Sequence, residues 1–245
     1  MKTVSKRLKT LIESIWLKYN NNVCRIPKIK GIRIIPEEGT AGQFLADDLY
    51  NRNYVLYLSD DMEVAPNDYI EEVLFHEFTH LADSTLFLEY DIEKFKTIMS
   101  IYSEIHASEI QMDKILSTIE NPYNIRQIIP YKSVTLKKYL NRKLKELKQE
   151  FAPLKSKDDV TERCNFTYIY YFIGYLKSLK KHNIKYPHNY RGIIKSLIPE
   201  IIKLEDYLLI ADTVSPREIL ALEKGFSDMF ASYYFSYCGK TFINQ

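Results

Sequence analysis

Apolar positions near the start of the chain return at helical spacing. Leu8, Leu11, Ile12, Ile15 and Trp16 form one stripe among lysines, so residues 1–22 are expected to make an amphipathic helix. The pattern then shortens. Residues 28–36, 43–47 and 54–59 are brief runs rich in Ile, Val, Leu and Tyr, bounded by Gly39, Gly42 and the stretch 51–53, and they read as three strands. Pro66 and Asn67 lead into Asp68, a good N-cap, with Glu71 three residues on in the spacing of a capping box, so a helix is expected over 69–83. A second helix is expected over 91–118. Beyond Pro122 and Pro130 the helical period dominates, with helices expected over 134–151, 160–182, 190–210 and 216–237 and breaks at 120–131, 153–159 and Pro187. The elements predict an α+β fold with two domains, a small sheet plus two long helices in residues 1–120 and an all-α region in residues 121–245.

Composition excludes several classes. With 245 residues, 46% apolar and 27% charged, and only 7 Gly and 9 Pro, the chain has globular values rather than those of a disordered or repetitive sequence. The net charge of +2 gives no general pull toward nucleic acid or membrane, but it hides a split. Residues 1–120 carry 13 basic and 20 acidic side chains, net −7, whereas residues 121–245 carry 21 and 12, net +9, so the two halves are expected to do different jobs. Cys24, Cys164 and Cys238 are odd in number and show no pairing pattern, which predicts buried thiols in a reducing compartment. The first 22 residues lack the apolar core of a signal peptide, and the longest apolar-aromatic run, 168–176, falls well short of the roughly 20 residues that cross a bilayer. A cytoplasmic protein with no membrane partner is expected.

The chemistry concentrates in one place. His76-Glu77-Phe78-Thr79-His80 is an HExxH pattern in the middle of an expected helix. Two histidines at i and i+4 leave one helical face about 40° apart, so their ring nitrogens can converge on one Zn²⁺, with Glu77 beside them to activate a water. On the helical wheel Glu72, Thr79, His80 and Asp83 fall within about 60° of His76, while Ile70, Leu74, Phe78 and Leu81 occupy the opposite face. A solvated polar face is the competing reading, but such faces favour Lys and Glu over paired His.

A catalytic zinc takes three protein ligands, and the candidates for the third are Asp83, Glu104, His106, Glu109, His182 and His188. On the second helix Glu104 shares a face with Thr97, Ser100, Ala107, Ser108 and Gln111, small residues that let a neighbouring helix approach, whereas His106 and Glu109 point roughly 140 to 160° away. Glu104 is therefore the expected third ligand, and His106 and Glu109 are expected to be ordinary exposed helix residues. Asp83, one turn past His80, is either a helix-end carboxylate or a group that orients an imidazole.

These residues resemble the gluzincin division of zinc metallopeptidases, in which HExxH on one helix is completed by a Glu on the next. The resemblance covers residues 28–118. It implies a zincin-like catalytic domain with one Zn²⁺ per chain, His76, His80 and Glu104 as ligands and Glu77 as general base, acting on a protein or peptide substrate. It further implies an antiparallel sheet ahead of the active-site helix, with residues 54–59 as the edge strand that binds substrate backbone. The step Glu104-x-x-Ala107 is similar to the small intracellular ImmA/IrrE-like peptidases of phages and mobile elements, and residues 76–83 resemble the HExxHxxD segment of lethal-factor-like peptidases. No helix-turn-helix segment accompanies them.

Two other classes stay open. One is a zinc-binding regulator without catalysis that works through the basic helical half, where residues 132–148 hold seven Lys or Arg and one acid. Nucleic acid is a possible partner there but not the favoured one, because aromatic interleaving is sparse. The other is a docking or covering role for the tyrosine-rich helices, with Tyr168, Tyr170, Tyr171, Tyr175, Tyr233, Tyr234 and Tyr237.

Overall fold

The structure, a computed structural model, describes residues 4–36, 41–87, 100–150 and 159–186. The first helix, α1 (Lys6–Asn22), is capped by Ser5, whose side chain accepts the Leu8 N–H. Leu8, Ile12, Ile15 and Tyr19 bury one face of it, as the apolar spacing predicts.

The strands are β1 (Gly31–Ile35), β2 (Gly42–Phe44) and β3 (Val55–Ser59), in the order β1-β3-β2. The sheet is mixed, not antiparallel: β1 runs parallel to β3, and only β2 is antiparallel to it. The expected edge strand is also wrong. β3 is central and buried at all five positions, and β2 is the edge strand beside the helix that carries residues 76–80. The expected strand over 43–47 stops at Phe44, because Asp47 and Asp48 fall in the first turn of the short helix α2 (Ala46–Tyr50), where carboxylates complement the helix dipole. Asp48 then accepts the Tyr57 hydroxyl at 2.8 Å, tying α2 to the central strand.

Helix α3 (Asn67–Phe87) is longer than expected at both ends. It begins one residue before Asp68, which lies in the first turn, and Glu71 forms ion pairs with Lys18 and Lys114. Ile70, Leu74, Phe78 and Leu81 are all fully buried in one core cluster with α1 and the sheet. Helix α4 (Ser100–Ser117) packs on α3, and the expected helical turns over 91–99 lie outside the described residues.

The chain past residue 120 is not purely helical. Ile128–Ile129 (β4) pairs antiparallel with Val134–Thr135 (β5) around the 3₁₀ turn Pro130–Lys132, which Ser133 closes with a left-handed φ of 52°. Helix α5 (Leu136–Glu150) buries Leu136, Leu140, Leu144 and Leu147 and leaves its lysines outward. Helix α6 (Asp159–Lys181) packs along α4. Its Gly174 marks the closest approach, since a Cβ there would lie 2.4 Å from the Ile105 carbonyl oxygen and 2.6 Å from Ser108 Cβ. The expected helices over 190–210 and 216–237 lie outside the described residues, as do His188, Cys238, Tyr233, Tyr234 and Tyr237. Cys24 is exposed rather than buried, its thiol 3.8 Å from the Tyr19 hydroxyl. No helix among the described residues is long and apolar enough to cross a membrane.

The charge split has a structural counterpart. Acids of α3 and α4 pair with bases from the second half: Glu72 with Lys132 at 2.6 Å, Glu109 with Lys177 at 2.7 Å and Asp113 with Lys181 at 2.9 Å. Lys177 and Glu109 are both buried, so this pair fixes how α6 sits on α4, because leaving either charge alone there is costly.

Candidate metal centre

Local helix geometry brings the two histidines together. His76 and His80 lie one turn apart in the middle of α3, and their Nε2 atoms are 3.0 Å apart. The third group comes from α4: Glu104 Oε2 is 3.5 Å from each Nε2. The three ligand atoms all fall within 4.8 Å of one another. Ligand atoms at about 2.0 to 2.1 Å from a tetrahedral ion are separated by roughly 3.4 Å, so a triangle of 3.0, 3.5 and 3.5 Å fits one face of such a shell. Glu104 Oε2 is buried and has no hydrogen-bond partner among the described residues, which is the state of an oxygen aimed at a cation.

The rings are held from behind. Ser103 Oγ is 2.8 Å from His80 Nδ1, leaving Nε2 to face the cluster. Tyr171 of α6 packs edge-on against the His76 ring at 5.5 Å. Burial disfavours the imidazolium of His80, but the Glu104 carboxylate outweighs it and pushes its pKa up to about 9. Glu104 is correspondingly held well below the usual carboxylate range: burial opposes ionisation, and His80 and His76 overcome it.

Glu77 sits where the helix meets the edge strand. It is buried, receives the Phe44 backbone N–H, and lies so close to β2 that a Cβ on Gly42 would come 3.1 Å from its Cγ. Burial raises its pKa, with His80 and His76 opposing and Glu104 reinforcing the shift.

The polar face of α3 is not solvated. Glu72, Thr79 and Asp83 are buried, each with partners from another element. Glu72 takes Tyr131 Oη at 2.7 Å and Gln111 Nε2 at 2.9 Å besides Lys132, and Thr79 meets Tyr19 Oη at 2.9 Å. Asp83 binds His106 Nδ1 at 2.9 Å, so it orients an imidazole, though one outside the cluster. His106 and Glu109 do point away from the metal triangle, but neither is an ordinary exposed residue. His106 is half-buried against Asp83, and Glu109 is buried against Lys177. His182 is 3.0 Å from Asp113, away from the triangle.

Sequence reasoning missed Ser103, Gly42 and Tyr171 as parts of the site. Ser103 stands next to Glu104 in the chain, and that adjacency was the available signal. Nothing in the sequence distinguishes Tyr171 among 20 tyrosines. A cleft of about 1010 Å³ opens from Gly42, His76, Glu77 and Tyr171 toward α5. Comparison of the chain with protein-family models, with curated proteins and with solved structures finds no match.

Proposed function

We propose that the chain is a zinc-dependent metallopeptidase of gluzincin type that hydrolyses peptide bonds of a protein substrate. The observation that carries this reading is the ligand triangle of His76, His80 and Glu104 with Glu77 buried between it and an edge strand. His76, His80 and Glu104 would hold the Zn²⁺, which when bound would supply a water of pKa lowered toward about 7 and a Lewis acid for the scissile carbonyl. Glu77 takes the proton of the attacking water on its carboxylate and then delivers it to the departing amine nitrogen. A raised pKa suits both tasks, because a stronger base still gives up its proton to an amine. An extended substrate adds to β2, whose outer side faces no further strand among the described residues.

We assign the carbonyl oxygen's donor to Tyr171, which lines the cleft and packs on a ligand ring. Tyr171→Phe is expected to lower kcat by about 10²-fold with little change in zinc content, as loss of one such donor does elsewhere. Steady-state kinetics with parallel metal analysis check this.

Metal binding itself has two expected signatures. Glu104→Ala leaves two histidines and is expected to lower zinc occupancy sharply, while Ser103→Ala, which frees the His80 ring, weakens affinity about 10- to 100-fold. Competition with a chelator reads both. The Glu104 carboxylate pushes the His80 pKa from the ordinary 6.5 up to about 9, above neutral pH, so the metal-free protein is expected to carry an imidazolium there at pH 7. Its attraction to Glu104 is complete below the ordinary value and fades as pH rises through the raised one. Zinc uptake at pH 7 is therefore expected to release about one proton, and affinity to climb with pH until His80 is neutral. Calorimetry in two buffers of different ionisation enthalpy measures that proton.

The reading as a whole is tested by mapping new protein termini in a proteome treated with wild-type chain or with Glu77→Gln. Termini that appear only with the wild type are the expected result. Identical termini in the two samples overturn the peptidase reading and leave a zinc-binding protein without catalysis.

A further inference from the structure

We propose that the cleft beside the metal triangle accepts acidic peptide segments, with the carboxylates bound on one side of the scissile bond by Lys138, Arg142 and Lys145 of α5. The proposal rests on the peptidase reading above and names the substrate class of that same site.

The three cations stand at i, i+4 and i+7, so they form one stripe along the helix. All three are exposed, and all three line the cleft that begins at His76 and Glu77. The buried leucines of α5 lie off this stripe and anchor the helix to the protein, which fixes the stripe in place. Lys138 and Lys145 make no ion pair among the described residues, and Arg142 shares Glu146 with Lys143. The acids across the cleft do not neutralise them. Glu72 is already saturated by Lys132, Tyr131 and Gln111, and Glu77 is turned to the edge strand.

A cation wall in a cleft focuses potential and selects anions. The geometry favours a peptide over a nucleic acid. The cleft begins at the edge of β2, which has no further strand beyond it among the described residues; such an edge pairs with extended peptide backbone and sends alternate side chains to the same wall. Single-stranded nucleic acid needs free aromatic faces on which bases stack, but of the cleft tyrosines Tyr139 and Tyr175 are buried against each other, and the half-buried Tyr69 and Tyr171 are engaged by Lys132 and by the His76 ring.

The test uses the full chain carrying Glu77→Gln, incubated with zinc, and fluorescence anisotropy of three labelled probes. These are a peptide alternating Glu and Ala, the same peptide with Gln for Glu, and single-stranded DNA of equal charge. The Glu peptide is expected to bind roughly tenfold more tightly than the Gln peptide, with the advantage shrinking as salt screens the charges. It is expected to vanish in the triple variant Lys138→Gln, Arg142→Gln, Lys145→Gln, whose zinc content and thermal midpoint match those of the parent. Equal binding of the two peptides, or an advantage that survives the triple variant, overturns the proposal. DNA binding more tightly than the Glu peptide overturns it in favour of a nucleic-acid groove. The measurement needs no turnover, so a chain that cleaves nothing would defeat the peptidase reading without deciding this result. Cleavage of neutral and acidic sequences alike would defeat the acidic subsite alone.

Discussion

Glu77→Gln is expected to keep about one zinc per chain and to lower peptide hydrolysis by about 10²- to 10⁴-fold, the span that a positioned general base contributes. The substitution is nearly isosteric, and the site is tight: Glu77 is buried, with Gly42 and the Phe44 N–H against it. A neutral amide of the same shape keeps the Phe44 hydrogen bond through its oxygen but cannot accept a proton. The ligands His76, His80 and Glu104 are untouched, so metal content and chemistry separate in this variant. Loss of activity together with zinc would move Glu77 from the chemistry to the integrity of the site. Retained turnover would remove it from the mechanism altogether.

The second large effect concerns a glycine far from the motif in sequence. In an exposed helix, Gly→Ala stabilises by about 1 kcal/mol through helix propensity. At Gly174 the sign is expected to reverse. The new Cβ would meet the Ile105 carbonyl oxygen at 2.4 Å, Ser108 Cβ at 2.6 Å and the Glu109 nitrogen at 2.9 Å. Two of the three atoms are backbone, so relief requires α4 to move rather than a side chain to turn. Overpacking of this kind costs about 1 to 3 kcal/mol, or roughly 2 to 4 °C in melting temperature for each kcal/mol in a chain of this size. Ile105 follows Glu104 directly, so the displacement of α4 also widens the ligand triangle, and zinc affinity is expected to fall with the melting temperature. Thermal melts and chelator competition on Gly174→Ala and Gly174→Leu measure both. A stabilised Gly174→Ala variant with unchanged affinity would contradict the close seating of α6 on α4.

The same glycine revises one step of the sequence argument. The small residues around Glu104 predict a close helix partner, and α3 was the expected one. Ser108 in fact receives α6 at Gly174, so part of that small surface serves a contact made by a helix from the other half of the chain. The sheet shows a similar limit. Strand composition located 31–35 and 55–59 to within a few residues, yet alternation of apolar residues does not encode direction. The parallel pairing of β1 with β3 depends on how the chain between them turns through β2 and α2. The buried polar face of α3 is the sharpest case. The wheel grouped Glu72, Thr79 and Asp83 with the histidines, and their partners Tyr131, Tyr19 and His106 lie 59, 60 and 23 residues away.

The basic stretch 132–148 is a further example. As sequence it reads first as a solvated helix, because aromatic interleaving is sparse, with a surface for nucleic acid or an acidic protein as the lesser alternative. Its placement as one wall of the cleft follows from the ribbon of β4 and β5, which delivers Lys132 to Glu72 and starts α5 beside the metal triangle.

What the chain determined by itself is the pair of histidines with Glu77 between them. Their relative geometry follows from 3.6 residues per turn and needs nothing beyond α3. The apolar faces of α1 and α3 were legible for the same reason, since burial of a stripe is written in local periodicity. Glu104 was legible as a candidate, but its arrival within 3.5 Å of both rings was decided by tertiary packing, as were the Ser103 contact, the Tyr171 cover and the cation wall. Each of these joins groups on separate helices, and the angle and depth at which helices pack are set by all the side chains between them rather than by any one segment.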